Sequence, residues 1–251
     1  MNHQFQIKTE VLSQCEECQV RKFAFFKPIK EELLHWESQF RSTQYNISPK
    51  QLLYREGDVP EEVYTLHTGW VLIYKTLEDG KRQILRIALP GDFLGYHADL
   101  DDPIDHAAIA VSHCTLCAFP RKAVKTMIAD QPELAMRLLE IQSQTMHECH
   151  ERMASIGQKS AIQRVASLFL ELIRKVDERH GMNNNTIEFP LTQDDIADAI
   201  GVTPVHVSRV AKELRLKKIV DCSHGHMHVH DIAGLAEVAG VNLVEMGWHH
   251  P

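Results

Sequence analysis

The chain has 251 residues, 44% of them hydrophobic and 24% charged, enough for packed cores and for two modest domains. No apolar run is long enough to cross a bilayer, and the stretch from Met1 to Gln19 has no apolar signal core, so a cytoplasmic protein is expected, with no membrane partner and no secretion. The formal net charge of −7 argues against nucleic acid as a partner of the whole surface, yet Arg209, Lys212, Arg215, Lys217 and Lys218 crowd one stretch opposed only by Glu213, and binding answers to the local field.

Residues 1–28 read as a short leader carrying Cys15-Glu16-Glu17-Cys18. A helix is expected near Lys30 to Ser38. From Ser48 to Pro120 the texture changes to short β-type runs: Gln51–Tyr54, Val63–His67, Trp70–Lys75, Gln83–Leu89 and Thr115–Phe119. Glycine turns separate them, and Asp79-Gly80 is a hairpin signal. Many short strands of this kind predict a sandwich or barrel. Trp70 and Tyr74 read as packing residues within it.

From Pro132 the apolar period becomes helical. Ala135, Leu139, Gln142, Met146, Cys149, Met153 and Ile156 recur at alternating four- and three-residue steps, and neither Pro nor Gly interrupts them before Gly157. This is a heptad stripe on a helix of roughly 35–40 Å. Such a seam wants a partner helix; the alternative is a helix lying on its own domain. A second helix is expected from Ile162 to Val176, followed by the polar loop His180–Asn185.

The stretch Leu191–Leu214 carries the strongest local signals. Thr192 is an N-cap residue with Asp194 and Asp195 in the first turn, and Ile196, Ala197 and Ile200 share one apolar face. Gly201 stops that helix. Thr203 caps the next one, Pro204 takes its first position, and Val207, Val210 and Leu214 form its buried side. Two short helices joined by a glycine turn make a helix-turn-helix. Val205, His206, Ser208, Arg209 and Lys212 then face outward, where the early residues of a recognition helix reach base edges. Lys217 and Lys218 are expected near phosphates. Lys218–Asp221 and Met227–His230 flank a turn and predict a β-hairpin wing. It carries His224, His226, His228 and His230 on alternate positions, for which a solvated face and a metal site are both open. A short helix is expected around Leu235–Val238.

In this order the chain resembles the CRP/FNR family, the cyclic-AMP receptor and fumarate–nitrate reduction regulators of bacteria. The motifs that carry the resemblance are Leu53-Tyr54-Arg55-Glu56-Gly57-Asp58 with Tyr64–Gly69, then Pro90-Gly91-Asp92-Phe93-Leu94-Gly95, then Thr203 to Arg209. The resemblance covers nearly the whole chain and is closer to the FNR branch. It implies an α+β fold with a cyclic-nucleotide-binding-like β-roll (a jelly roll), a long dimerisation helix and a C-terminal winged helix-turn-helix. The corresponding boundaries are 1–28 for the leader, 29–130 for the sensory β-roll, 131–158 for the dimerisation helix and 159–251 for the DNA-binding domain. It also implies a homodimer on a palindromic operator, with RNA polymerase as a further partner. Arg209 matches an arginine that the family places on guanine, and Ser208 a base-contacting serine of the FNR branch. Val205 stands where the family has glutamate. Thr192 and Thr203 complete the DNA-facing set, and Leu139, Gln142, Met146, Cys149, Met153 and Ile156 the dimer seam.

The sensor input is open between an iron–sulfur cluster, thiol redox or zinc chemistry, and a small-molecule ligand or none. Cyclic AMP is not expected, because no arginine lies between Arg86 and Arg121, and Asp99, Asp101, Asp102 and Asp105 repel phosphate. A [4Fe–4S] cluster takes soft thiolates, usually four. By the FNR resemblance, Cys15, Cys18 and Cys117 match three ligands. The fourth is expected near Ala24, where no cysteine stands. Cys114, His113 or an aspartate completes the set, or the cluster is absent. Cys114 and Cys117 are an odd number apart and point to opposite faces of an extended strand. Two C-x-x-C pairs also suit zinc or thiol redox chemistry, and either strand cysteine can be a small buried residue.

Three function classes follow. A DNA-binding regulator leads. A ligand-binding β-roll acting through protein partners is the second, and the basic run from Arg209 to Lys218 speaks against it. An enzyme is the third; no compact His/carboxylate set, Ser-His-Asp set or P-loop appears, so a non-enzyme is expected.

Overall fold

The computed structural model describes residues 6–7, 17–33, 36, 39–99 and 101–244. The chain divides into two compact units, residues 1–81 with 85–146, and residues 147–251 with 82–84.

The first unit holds strands β1 (Gln6–Ile7), β2 (Thr43–Ile47), β3 (Leu52–Tyr54), β4 (Glu62–Thr68), β5 (Val71–Thr76), β6 (Arg82–Ala88), β7 (Phe93–Leu94), β8 (Ala107–Ala110) and β9 (Cys114–Pro120). They form two antiparallel sheets, ordered β1-β2-β9-β4-β7 and β3-β8-β5-β6. The expected strands appear, each within one residue at either end. At the Asp79-Gly80 hairpin, Leu77 N–H donates to Lys81 O and Gly80 N–H to Leu77 O. Strands β1, β2, β7 and β8 were not foreseen; helix α1 (Ala123–Asp130) follows β9. Within the helix expected over Lys30–Ser38, Glu31–Leu33 form a 3-10 turn and Trp36 is α-helical, as are Gln39 and Phe40 just beyond it; residues 34, 35, 37 and 38 lie outside the described set.

The alternation of β9 decides how the first sheet is used. Cys114, Leu116 and Ala118 face a core with Ile47, Leu53, Tyr54, Leu66 and Ile73. Cys117 and Phe119 face the other way, into a core with Phe25, Phe26, Ile29, Val63 and Phe93. Leader residues thus cover one face of the sheet, and stacking of Phe25 on Phe93 at 4.6 Å fixes them there.

Between β4 and β5, Gly69 has φ +88, and a Cβ there would overlap the His113 carbonyl and the Cys114 thiol. Gly69→Ala is therefore expected to destabilise this unit by about 1–3 kcal/mol. A lowered urea midpoint followed by tryptophan fluorescence checks this, since Trp70 is buried beside the turn.

Helix α2 (Glu133–Gln158) has 26 residues. Its exposed side carries Leu139, Met146 and Met153, at 62%, 57% and 66% exposure. Gln142 and Cys149 are exposed on the same stripe and Ile156 is half-buried.

The second unit adds α3 (Ala161–His180), β10 (Thr186–Glu188), α4 (Gln193–Ile200), α5 (Pro204–Leu216), β11 (Val220–Ser223), β12 (His226–Val229) and α6 (Ile232–Ala239). Ser160 and Gln163 close a capping box at the start of α3. Val165, Leu168, Phe169, Leu172 and Ile173 form its buried face, and Phe169 meets Phe189 edge-on. The wing is a three-stranded sheet ordered β10-β12-β11. Its turn residues His224 and Gly225 both have positive φ, as a two-residue type I′ hairpin requires.

Candidate nucleic-acid interface and thiol cavity

The helix-turn-helix is built by its caps. Thr192 and Asp195 form a capping box, with Asp195 N–H donating to Thr192 Oγ1 at 3.1 Å and Thr192 N–H to Asp195 Oδ2 at 3.0 Å. Gly201 closes α4 in the left-handed region, at φ 66. Thr203 accepts from His206 N–H to start α5, with Pro204 in the first turn. Burial of Val207, Val210 and Leu214 then turns the opposite face of α5 outward.

That outward face carries Val205, His206, Ser208, Arg209 and Lys212, all exposed. Val205 is 68% exposed in the first turn, an apolar group suited to a thymine methyl. The His206 ring meets Thr203 Oγ1 at 3.0 Å. Thr192 and Thr203 are exposed, and both hydroxyls are engaged at their helix ends. Lys217 and Lys218 follow at the exit of α5; Lys217 pairs with Glu213 at 2.7 Å, which reduces its charge toward a phosphate.

The alternating-histidine strand of the sequence reading is corrected. His224 lies in the turn and His230 beyond β12. His228 meets Thr186 Oγ1 at 2.9 Å, and His226 Nδ1 approaches the His224 carbonyl.

In the first unit, a cavity of about 30 Å³ lies between the leader and the first sheet. Strand register assembles its floor. Cys117 of β9 pairs with Gln44 of β2 on one side and with Thr65 of β4 on the other. His67, two residues along β4, shares that face. From the leader come Cys18, Val20, Arg21 and Ala24. Cys18 Sγ lies 3.6 Å from His67 Nδ1, and Gln44 Nε2 donates to Cys117 Sγ at 3.6 Å. Burial pushes the Cys117 thiol up to about 11, with Arg41 and Cys18 close enough to modulate it in opposite directions. Thr65 is 7% exposed, and its hydroxyl has no hydrogen-bond partner among the described residues. Cys117 and the leader C-x-x-C were legible as chemistry in the sequence. Thr65, His67, Arg41 and Gln44 were not, because nothing local marks them.

The expected cluster ligands divide. Cys18 and Cys117 share the cavity. Cys15 lies outside the described residues. Cys114 faces the opposite core, where its thiol donates to the Trp70 carbonyl at 3.3 Å, so its inclusion in the set is corrected. Ala24, near which a fourth ligand was expected, presents only a methyl. Among the described residues no group of three or more His, Cys, Asp or Glu side chains is placed to hold a metal ion. Of the expected thiolates among the described residues, Cys18 and Cys117 share the cavity. Nor does the Asp105 turn offer a phosphate a ready cation, since Lys75 is paired with Asp105 at 3.3 Å. No helix among the described residues is long and apolar enough to cross a membrane.

Comparison with known proteins matches residues 45–131 to the cyclic nucleotide-binding domain and residues 163–238 to the Crp-like helix-turn-helix domain. The transcriptional activatory protein AadR of Rhodopseudomonas palustris is 30% identical over 74% of this chain and 77% of its own. The transcriptional activator protein FnrL of Cereibacter sphaeroides is 29% identical over 92% and 93%. The structure of FixK2 from Bradyrhizobium japonicum aligns with TM-score 0.71 at 26% identity, covering 78% of this chain and 96% of that one. AadR and FnrL are transcription activators, which sets the enzyme class aside. An exposed recognition helix on a Crp-like domain, preceded by a cyclic nucleotide-binding-type β-roll, places this chain in the CRP/FNR family of transcription regulators.

Proposed function

We propose that the protein is a cytoplasmic, sequence-specific DNA-binding regulator that acts as a homodimer on a palindromic operator and addresses RNA polymerase from there. In this reading residues 1–28 and 29–130 sense, 131–158 dimerise and 159–251 bind DNA. The observation that carries it is the outward face of α5, where Val205, His206, Ser208, Arg209 and Lys212 are exposed together over a buried Val207–Val210–Leu214 side. Arg209 reads a guanine through O6 and N7. Val205 cannot accept from cytosine N4, so the half-site differs there from one read by glutamate.

Arg209→Ala is expected to cost about 1–3 kcal/mol on the selected operator and to flatten specificity at one base pair. Lys212→Ala is expected to weaken all duplexes alike and to lower the salt slope by about one. Fluorescence anisotropy over a salt series separates the two effects. Equal affinity of wild type and Arg209→Ala for the operator would exclude the assignment.

For the sensor, the favoured reading is thiol oxidation at Cys18 and Cys117 with no cluster. Its support is the shared cavity and the methyl of Ala24 at the fourth position. A [4Fe–4S] cluster would need Cys15 and a further donor. Iron and sulfide analysis of protein made and reconstituted without oxygen decides between them.

A further inference from the structure

We propose that the cavity between leader and sheet receives a small hydroperoxide, which Cys18 reduces and Cys117 then resolves into a Cys18–Cys117 disulfide. This rests on the thiol-sensing reading above and assigns its oxidant and the residues that handle it.

Size comes first. The cavity of about 30 Å³ admits a molecule about as large as one or two waters. Drug-sized and nucleotide-sized ligands need roughly 300–1,000 Å³. A hydroperoxide group fits, and it is both hydrogen-bond donor and acceptor.

Polar lining comes second. A buried hydroxyl normally has a partner, and Thr65 has none among the described residues. It lies in register with Cys117 and lines the same space. An occupant that hydrogen-bonds Thr65 removes this cost and is itself held against the thiols. Arg41 lines the cavity beside Cys117 and supplies positive charge to an oxygen that leaves with a developing negative one.

The two thiols differ in the way the two steps require. Cys18 is half-buried and in contact with His67, whose Nδ1 accepts its proton in the tautomer protonated on Nε2. The thiolate attacks one peroxide oxygen; the S–O bond forms and the O–O bond breaks. The departing oxygen takes the proton from His67 and leaves as alcohol or water. Cys18 is now a sulfenic acid. Cys117 is buried and holds its proton, so it does not compete in the first step. Its sulfur then attacks Cys18 Sγ; the S–S bond forms, the S–O bond breaks, and the hydroxyl leaves as water with the Cys117 proton. Two thiols lose two electrons and the peroxide gains two. The product ties the leader to β9.

The test uses the full reduced chain with hydrogen peroxide, quenched alkylation and peptide mapping. Cys18 should be oxidised at least about ten-fold faster than free cysteine added to the same mixture as a reference. The mapped product should be Cys18–Cys117. Cys117→Ser should accumulate a sulfenic acid at Cys18 that dimedone traps. Thr65→Val should slow oxidation at least about ten-fold, and Thr65→Ser should restore it. Oxidation of Cys18 no faster than free cysteine, a disulfide mapped to Cys15–Cys18, or an unchanged rate in Thr65→Val each overturns the proposal. Binding of the reduced protein to its selected operator, measured alongside, keeps the readings apart. Reduced protein that binds DNA but whose thiols ignore peroxide overturns this inference alone. Reactive thiols in a protein that never binds DNA support it and overturn the regulator reading.

Discussion

Replacing Lys175 by methionine is expected to lower the stability of the second unit by about 3–5 kcal/mol at neutral pH. Lys175 is 3% exposed. Its ammonium lies 2.7 Å from Glu148 and 3.1 Å from Glu171, and Arg152 reaches both Glu171 oxygens at 2.9 and 2.7 Å. Removing the central cation leaves Glu148 largely buried without this partner, and an uncompensated buried charge is costly. Replacing Lys175 and Glu148 together with apolar residues of similar volume should recover most of the loss, since paired burial is near neutral against good packing. The same cluster sets a pH window. Burial alone would raise the Glu171 carboxyl, but Lys175 and Arg152 outweigh it and hold it at about 2. Its folded value is thus below its unfolded one. The associated stability is present above about pH 4.5 and is lost as pH falls toward 2. Hydrogen exchange of α3 amides, which reports this unit by itself, should show the drop in Lys175→Met and a flatter acid limb in Glu171→Gln. Unchanged α3 protection in Lys175→Met would mean that the cluster contributes nothing.

Met146→Glu is expected to weaken self-association at least about 100-fold. Leu139, Met146 and Met153 stand exposed at heptad spacing on α2. A two-fold pair of such helices buries identical positions against each other, so one substitution places two carboxylates at one apolar contact. Cys149 lies on the same stripe and would face its symmetry mate. Mild oxidation should then give a covalent dimer that Cys149→Ala abolishes. Sedimentation measures the first effect and non-reducing electrophoresis the second. A fully dimeric Met146→Glu protein would overturn the heptad assignment.

How much of this was legible depends on where each signal resides. The caps of the helix-turn-helix are local: Thr192, Asp195, Gly201, Thr203 and Pro204 act within a turn of themselves, and α4 and α5 follow from them. The heptad stripe of α2 is likewise a property of one helix. Strand β2 escaped because Thr43-Gln44-Tyr45-Asn46-Ile47 buries a polar residue, Gln44, where alternation leads one to expect an apolar one. Strand β8 is mostly alanine, and β10 is three residues beside an asparagine run. The parity of Cys114 and Cys117 was readable, and it separates them as expected. The cavity was not, because the order β2-β9-β4 brings together residues far apart in the chain. The burial of Lys175 was equally hidden, since its partner Glu148 lies on the preceding helix.

Selection of bound duplexes from a random pool by the full-length protein tests the central claim most directly. The expected result is a two-fold symmetric sequence whose half-site centres lie about one helical turn apart, roughly 10–10.5 base pairs, or a multiple of it. Two chains should occupy each site, and the affinity should fall steeply with salt. Enrichment of no sequence, or a single chain bound equally to every duplex, would contradict the account.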